Sequence, residues 1–425
     1  MKMPLIGFAG MTHLGLISGV AAAEKGFNLI CYDPDALRIA DLNRGKLPVS
    51  EPQLDELVLK NKNSLTFTSN ISELHNCDVV YVAPDVATDD NGQSDLTTID
   101  FLLDTVLSAT RNDAVIVVLS QVPPGFTRAK QQAGRILYYQ VETLIFGKAV
   151  ERALFPERYI LGCADPSLPL PDSYRIFLEA HSCPLLPMRY ESAELAKISI
   201  NMCLVASVTT ANTLAELCEY IGADWSEIVP ALKLDKRIGQ YSYLSPGLGI
   251  AGGNLERDLV TVCNFADKYG TDAGVVRAWL ANSLHRQNWA AKTIKKVLLD
   301  SNPSATIAVW GLAYKENTHS TKNSPSLVTI SQLPDTYLRL HDPEVLTSVV
   351  KNTRAVGCDS ALDAASGADA LMILTPWPEY KKIPIDQLVS VMRGKLVLDP
   401  YGIINSKEKN SSSLNIITLG KTKNF

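Results

Sequence analysis

Lys197 and Asn201 stand four residues apart in the stretch Glu194-Leu195-Ala196-Lys197-Ile198-Ser199-Ile200-Asn201. The stretch lies in a helical pattern opening near Ser192, running to Tyr220 and stopped by Gly222. The spacing puts an ammonium and an amide on one helix face, one turn apart. Polar groups aimed together can stabilise charge that develops on a reacting oxygen. Such a pair also arises by chance on amphipathic helices, so its meaning depends on its company. Downstream, Leu244 to Asp258 reads Leu-Ser-Pro-Gly-Leu-Gly-Ile-Ala-Gly-Gly-Asn-Leu-Glu-Arg-Asp. Its glycines let backbone pass close to a ligand without a Cβ clash. It feeds an apolar-periodic helix through Leu255, Leu259, Val262, Phe265 and Ala266. Asn254 stands where that helix should start, and Asn is a favoured helix cap.

These groups need a frame, and the N-terminus supplies part of one. Pro4 to Ala9 reads as a short buried strand, Gly10-Met11-Thr12-His13-Leu14-Gly15 as a tight turn, and Leu16 to Lys25 as a helix ended by Gly26. A second strand, Phe27 to Tyr32, closes on Asp33. The competing reading of the apolar run from Met3 to Ala23 is a leader peptide. Strand, turn, helix, strand and acid is the layout of a dinucleotide fold, with phosphate on the helix N-terminus and the acid on the ribose. Gly10 and Gly15 are the first and third glycines of the fingerprint, and Thr12 replaces the second. Thr12 either displaces the cofactor outward or offers it a hydroxyl. Asp33 favours NAD over NADP, whose 2′-phosphate it would repel. Its plain alternative is a strand-end cap.

At 425 residues the chain suggests about two to three domains. Hydrophobic residues are 46% and charged residues 20%, ordinary values for a globular protein. The net charge of −5 and the absence of a basic run exclude no fold but point away from nucleic acid and anionic membranes. Cys31, Cys77, Cys163, Cys183, Cys203, Cys218, Cys263 and Cys358 lack paired spacing. No metal site or disulfide framework is expected, and the compartment is expected to be reducing. Cys203 lies about 200° around the helix from Asn201 and reads as a core residue.

The Gly-rich stretch resembles the active-site loop of the UDP-glucose/GDP-mannose dehydrogenase family, P-G-x-G-[FY]-G-G-S-C-[LF]-P-K-D. Pro246, Gly247, Gly249, Gly252, Leu255 and Asp258 match, and Arg257 stands for the Lys. The family's nucleophilic Cys falls on Asn254, with Gly253 before it. Other stretches are similar to family motifs at the same spacing. Leu42 to Pro52 resembles L-N-x-G-x-x-P-I-x-E-P. Pro84-Asp85-Val86 stands where the family has G-T-P, and Asp95-Leu96 matches D-L. Ser120-Gln121-Val122-Pro123-Pro124-Gly125 resembles S-T-V-P-x-G, with Gln121 at the Thr that helps hold a catalytic water. Gln140 to Val150 sits at N-P-E-F-L-x-E-G-x-A-V and places Glu142 on the catalytic Glu. Lys197 and Asn201 fit K-x-x-x-N-x-x-L-A, and Asp235 to Gly239 fits D-x-R-I-G. Gly311-Leu312-Ala313-Tyr314-Lys315 fits G-L-A-[FY]-K; Thr318, Ser324 and Pro325 continue that motif, while His319, Ser320 and Lys322 depart from it.

The resemblance spans about residues 3 to 405. It implies an α/β chain of two doubly wound Rossmann-like domains joined by a central helical domain: 1–189 for NAD, 190–302 for dimerisation and the active-site loop, 303–425 for the nucleotide sugar. The tail Lys407 to Phe425 is expected to be polar and partly disordered. The resemblance assigns catalysis to Lys197, Asn201, Asp258, Glu142 and the altered Asn254. It assigns NAD to Gly10, Thr12, His13, Leu14, Gly15, Asp33, Ser120 and Gln121, and substrate to Arg237, Tyr243, Leu244, Gly249 and Lys315. Arg237 would reach the partner's site in a homodimer. A cytoplasmic enzyme acting on a UDP-hexose or another nucleotide sugar is implied, of the kind used in polysaccharide biosynthesis. Family enzymes oxidise a sugar C6 alcohol to a carboxylate with two NAD, holding the aldehyde on Cys. An amide is no nucleophile, so partial or redirected oxidation is expected: aldehyde, ketone, or an epimerase cycle. A non-catalytic nucleotide-sugar or NAD binder, and full oxidation by another route, are the alternatives.

Overall fold

Short aliphatic runs alternate with amphipathic stretches along the chain, and the two periods settle into strands and helices in turn. The computed structural model describes residues 3–89, 92–404 and 413–422. The chain divides into two compact units, Met1–Ile200 and Asn201–Phe425.

The first unit holds β1 (Ile6–Ala9), β2 (Leu29–Tyr32), β3 (Leu65–Thr68), β4 (Val79–Val82), the small hairpin β5 (Ala87–Thr88) and β6 (Ser94–Asp95), then β7 (Val115–Val118), β8 (Ile136–Gln140), β9 (Tyr159–Cys163) and β10 (Leu185–Arg189). Its main sheet runs β10-β9-β8-β7-β4-β1-β2-β3. β1 lies between β2 and β4, parallel to both, with Ile6 opposite Leu29 and Val79. Among the described strands of this sheet, only the β8–β9 pair is antiparallel. Every residue of β1, β4 and β7 is buried, as parallel strands covered on both faces require. The chain winds from β1 outward to β3, then returns to the other side of β1 as β4. The carboxyl ends of β1 and β4 therefore part at a topological switch point, where such sheets bind ligands.

The second unit repeats this order. β11 (Thr306–Trp310), β12 (Tyr337–His341), β13 (Ala355–Gly357), β14 (Ala370–Ile373), β15 (Leu396–Leu398) and β16 (Asn415–Ile417) form an all-parallel sheet, β13-β12-β11-β14-β15-β16. Asp342 after β12 accepts from Leu312 N and Ala313 N at 2.6 and 3.0 Å. Asp33 after β2 likewise accepts from Met11 N at 2.7 Å. Before this sheet come the helices Trp225–Leu234, Asn254–Tyr269 and Gly274–Gln287, and the long helix Tyr190–Ile221 carries the chain out of the first unit. Gly222 stops that helix at φ +81°.

Several expectations change. The apolar run after Met3 forms β1 and a helix that begins at His13, earlier than expected. The helix after the Gly-rich loop begins at Asn254 itself, so Asn254 is not its cap; the cap is Gly253, which has no side chain to donate or accept a capping bond. Cys203 is exposed, not core, because its helix face turns away from the packed residues Met202 and Val205. The tail is not wholly irregular: Asn415–Ile417 pairs with β15 through Ile416 opposite Val397. The rest of that expectation, at 407–412 and 423–425, lies outside the described residues.

Candidate functional site

The first unit builds a dinucleotide crook at its switch point. Gly10 turns at φ +96°, and a Cβ there would lie 2.7 Å from Pro84 N. A Cβ on Gly15 would meet Gly10 O at 1.9 Å, so the helix His13–Glu24 packs against the turn only with glycine present. Asp33 is buried at the end of β2, where Oδ2 accepts from Met11 N and pairs with Arg38 Nη1 at 2.7 Å. Tight turn, close helix and buried acid fit the adenosine-ribose end of a dinucleotide. The phosphate end differs: Thr12 Oγ1 accepts from Asp85 N at 2.8 Å, and Asp85 Oδ2 accepts from His13 N at 2.9 Å. The His13 side chain turns inward to Glu51 Oε1 at 3.0 Å. Glu51 in turn accepts from Gly147 N and Ala149 N. Leu14 is buried. Ser120 Oγ donates to Pro84 O at 2.5 Å, tying the β7 exit to the β4 exit.

The same unit joins Lys197 to Glu142. Lys197 Nζ donates to the Glu142 carbonyl oxygen at 2.6 Å. Burial raises the Glu142 carboxyl to about 7, against the lowering pull of the Lys197 and Arg152 cations, with Asp85 adding to the rise. Glu194 anchors the loop after β7: its carboxylate accepts from Gly125 N at 2.6 Å and Thr127 N at 2.8 Å. Gln121 lies on that loop, half-buried.

The second unit presents the Gly-rich loop and the residues that fix it. Gly247 N donates to Asn212 Oδ1 and Ile250 N to Ser283 Oγ, both at 2.8 Å. Gly252 N donates to Lys322 O at 3.1 Å, and Asn323 Nδ2 returns a bond to Gly252 O at 3.1 Å. Gly249 and Gly252 both have positive φ, and a Cβ on Gly252 would press on the Tyr314 ring at 2.9 Å. The backbone thus runs hard against its neighbours, as the glycine content foretold. Asn201 Nδ2 donates to Asp258 Oδ2 at 2.5 Å, and Arg257 Nε lies 3.4 Å from the other oxygen. Asn254 is exposed at the start of its helix.

The expected substrate contacts scatter. Leu244 is buried and its carbonyl accepts from Trp225 Nε1, whereas Tyr243 is exposed. The Arg237 side chain is 89% exposed and folds onto Asp235 at 2.6 Å. Lys315 is half-buried beside the Tyr314 ring. Glu194, Asn212, Ser283 and Asn323 were not singled out for the site from sequence, yet each holds a loop by its backbone. Asp85 was visible only as a departure from a motif.

Residues 4–169 match the NAD binding domain of the UDP-glucose/GDP-mannose dehydrogenase family, 191–283 its central domain and 308–406 its UDP binding domain. The chain is 27% identical over 427 residues to a UDP-glucose 6-dehydrogenase of Rickettsia conorii, covering 95% of this chain and 96% of the relative. It is 28% identical over 439 residues to a UDP-glucose 6-dehydrogenase of Bacillus subtilis, covering 99% and 94%. Its fold is similar to that of a UDP-glucose dehydrogenase from Pyrobaculum islandicum, with TM-score 0.85, 23% identity and 99% and 98% coverage. A UDP-D-ManNAc dehydrogenase from Pyrococcus horikoshii gives TM-score 0.84 at 22% identity, covering 98% and 99%.

Proposed function

Because the chain belongs to the UDP-glucose/GDP-mannose dehydrogenase family and is an NAD-dependent oxidoreductase acting on CH–OH, we propose that it oxidises a nucleotide sugar, a UDP-hexose in the first instance, by a partial or redirected route. The observation that carries this is Asn254, exposed where the family pattern places its nucleophilic Cys. Covalent capture splits a hard oxidation into easier steps, and an amide cannot provide it. The remaining polar groups suit one two-electron step. NAD, when bound, supplies the hydride acceptor. In the roles the family pattern gives them, Lys197 and Asn201 would steady the alcohol oxygen while its carbon gives up hydride, and Glu142 would take the hydroxyl proton; Asp258 holds the Asn201 amide. The product of one such step is an aldehyde or a ketone, or an epimer if the hydride returns.

The crook around Gly10, Thr12 and Asp33 would hold the cofactor, and Lys315 and the Gly-rich loop the nucleotide sugar. We take the domain limits as 1–189, 190–302 and 303–425, a reading supported by the family matches at 4–169, 191–283 and 308–406. A homodimer is supported by apolar groups left exposed on the helical part: Leu214, Leu217, Tyr220, Ile221, Ile228 and Tyr241. The exposed Arg237 then serves the partner's substrate. The long helix Tyr190–Ile221 is, among the described residues, long and apolar enough to cross a membrane. We read it as a helix packed on one face against the protein, where Glu194, Asn212 and Glu219 are buried with protein partners, and open on the face that carries Leu214, Leu217, Tyr220 and Ile221. Eight free thiols agree with a cytoplasmic protein.

The test is mass spectrometry of product after incubation with NAD and UDP-, GDP- and dTDP-hexoses. An aldehyde, ketone or epimer is expected. A uronate with two NADH per sugar overturns the single-step reading. Binding without any product favours a non-catalytic role, which the departures at Thr12, Gln121, His319 and Ser320 would then explain.

A further inference from the structure

The geometry points to Asp85 as the residue that sets cofactor affinity: we propose that its carboxylate occupies the helix N-terminus that a dinucleotide's pyrophosphate must use, and so holds off the phosphate end of NAD. The inference rests on the cofactor fold alone and not on the identity of the sugar. A helix N-terminus attracts anions because its first N–H groups lack partners and its dipole is positive there. In a dinucleotide fold this end of the first helix receives the pyrophosphate. Here that helix is His13–Glu24, and its first N–H, on His13, already donates to Asp85 Oδ2 at 2.9 Å.

Asp85 is delivered there by the sheet. It follows Pro84 at the exit of β4, directly beside the exit of β1, and Pro84 fills the space that a Cβ on Gly10 would need. The contact is closed from the other side by Thr12, whose Oγ1 accepts from Asp85 N at 2.8 Å. Two departures from the family pattern thus meet: Thr12 stands for the second glycine of the fingerprint, and Asp85 for the Thr of G-T-P. Each supplies the acceptor of one of the two hydrogen bonds: a glycine at 12 would have no side-chain oxygen to accept from residue 85, and a threonine at 85 could offer His13 N a hydroxyl but not a negative charge. A tethered carboxylate competes with an incoming diphosphate for one donor and repels its charge. Asp85 is exposed, so it can turn into solvent when the diphosphate enters. Asp85 also contributes to the rise of the Glu142 carboxyl, which places its charge within reach of the catalytic end as well.

Calorimetric titration of the full chain and of Asp85→Asn with NAD, ADP-ribose and adenosine tests this. Asn keeps the shape and also caps helices well, so only the charge is lost. Like charges a few ångströms apart near a protein surface repel strongly enough that NAD and ADP-ribose should tighten by about tenfold or more. Adenosine, which carries no phosphate, should bind the two proteins alike. The gain should shrink as salt is raised. Thr12→Gly removes the other bond and should tighten NAD in the same direction, which keeps the proposal testable if Asp85→Asn folds poorly. Unchanged or weaker NAD binding in both variants overturns it. So does an equal gain for adenosine, which would mean a general change in the pocket. Failure of NAD to bind any of the three proteins also overturns it, since Asp85 would not then be what holds the cofactor off. None of these outcomes depends on turnover, so a failed sugar assignment remains separate.

Discussion

The Asn201 amide and the Asp258 carboxylate are joined at 2.5 Å, Nδ2 to Oδ2. Asp258 is buried, with Arg257 at 3.4 Å from its other oxygen. The bond fixes which way the Asn201 amide points, and an amide that can rotate is a poor electrostatic partner for a reacting oxygen.

Asn201→Ala should therefore lower kcat by about a hundredfold, the usual cost of removing one preorganised donor, and leave KM for the sugar nearly unchanged. Asp258→Ala should lower kcat similarly and also destabilise the fold by about 3–5 kcal/mol, because it strips a partner from a buried charge. Steady-state kinetics and urea denaturation on both variants check this. An unaltered kcat in Asn201→Ala would remove that residue from the chemistry.

How much of this was legible beforehand follows from the kind of signal each feature leaves. The strands expected at Pro4 to Ala9 and Phe27 to Tyr32 contain the observed β1 at Ile6–Ala9 and β2 at Leu29–Tyr32 and share their carboxyl ends, because each is a short apolar run with a clear end. β16 was missed because Asn415–Ile417 sits in a polar tail, and it is a strand only because β15 lies beside it. Lys197, Asn201 and Asp258 could be named from fixed spacings and from resemblance. The loop anchors could not: Asn212 holds Gly247 from 35 residues away, Asn323 holds Gly252 from 71, and Glu194 holds Gly125 from 69. Their partners are backbone groups, which carry no sequence mark. Asp85 shows the same limit, since its bond to His13 spans 72 residues.

Glu142 predicts a pH dependence. Its carboxyl is raised to about 7 from an ordinary 4.5, so it is a competent base only as pH rises through 7. The kcat profile should show an ascending limb there, absent in Glu142→Gln. The same shift acts on stability. Between about 4.5 and 7 the folded chain binds the proton more tightly than the unfolded chain, so stability falls as pH rises through that window. Above pH 7 the penalty is constant at about 3 kcal/mol. Glu142→Gln should melt higher than the parent at pH 8 and no differently at pH 4. Parallel melting curves across this range would show that the carboxyl is not shifted.

Arg237 should divide binding from stability. Its guanidinium is almost wholly exposed and, among the described residues, pairs locally with Asp235, and such surface pairs contribute about 0–1 kcal/mol. Arg237→Ala should leave the melting temperature unchanged and raise KM for the nucleotide sugar. If the Arg acts across a dimer, mixing Arg237→Ala with Asn201→Ala subunits should restore part of the activity, since some mixed dimers then carry one complete site. No recovery on mixing would assign Arg237 to its own subunit or to none.

Restoring the nucleophile tests the reading of Asn254 most directly. Asn254 is exposed and is the first residue of its helix, capped by Gly253 and not by its own side chain. Asn254→Cys should therefore fold as the parent does. A thiol at a helix N-terminus is also biased toward thiolate, so the new side chain would be reactive. Acid formation should nevertheless rise only modestly, because hydrolysis of a thioester needs a positioned water and Gln121 stands where the family pattern has its water-holding Thr. The double variant Asn254→Cys with Gln121→Thr should produce much more uronate than either single change, with two NADH per sugar. A large gain from Asn254→Cys alone would show that one residue sets the outcome and that Gln121 already holds the water. No acid from the double variant would mean that the departures at His319 and Ser320, or the Asp85 carboxylate, have moved the chemistry beyond repair at these two positions.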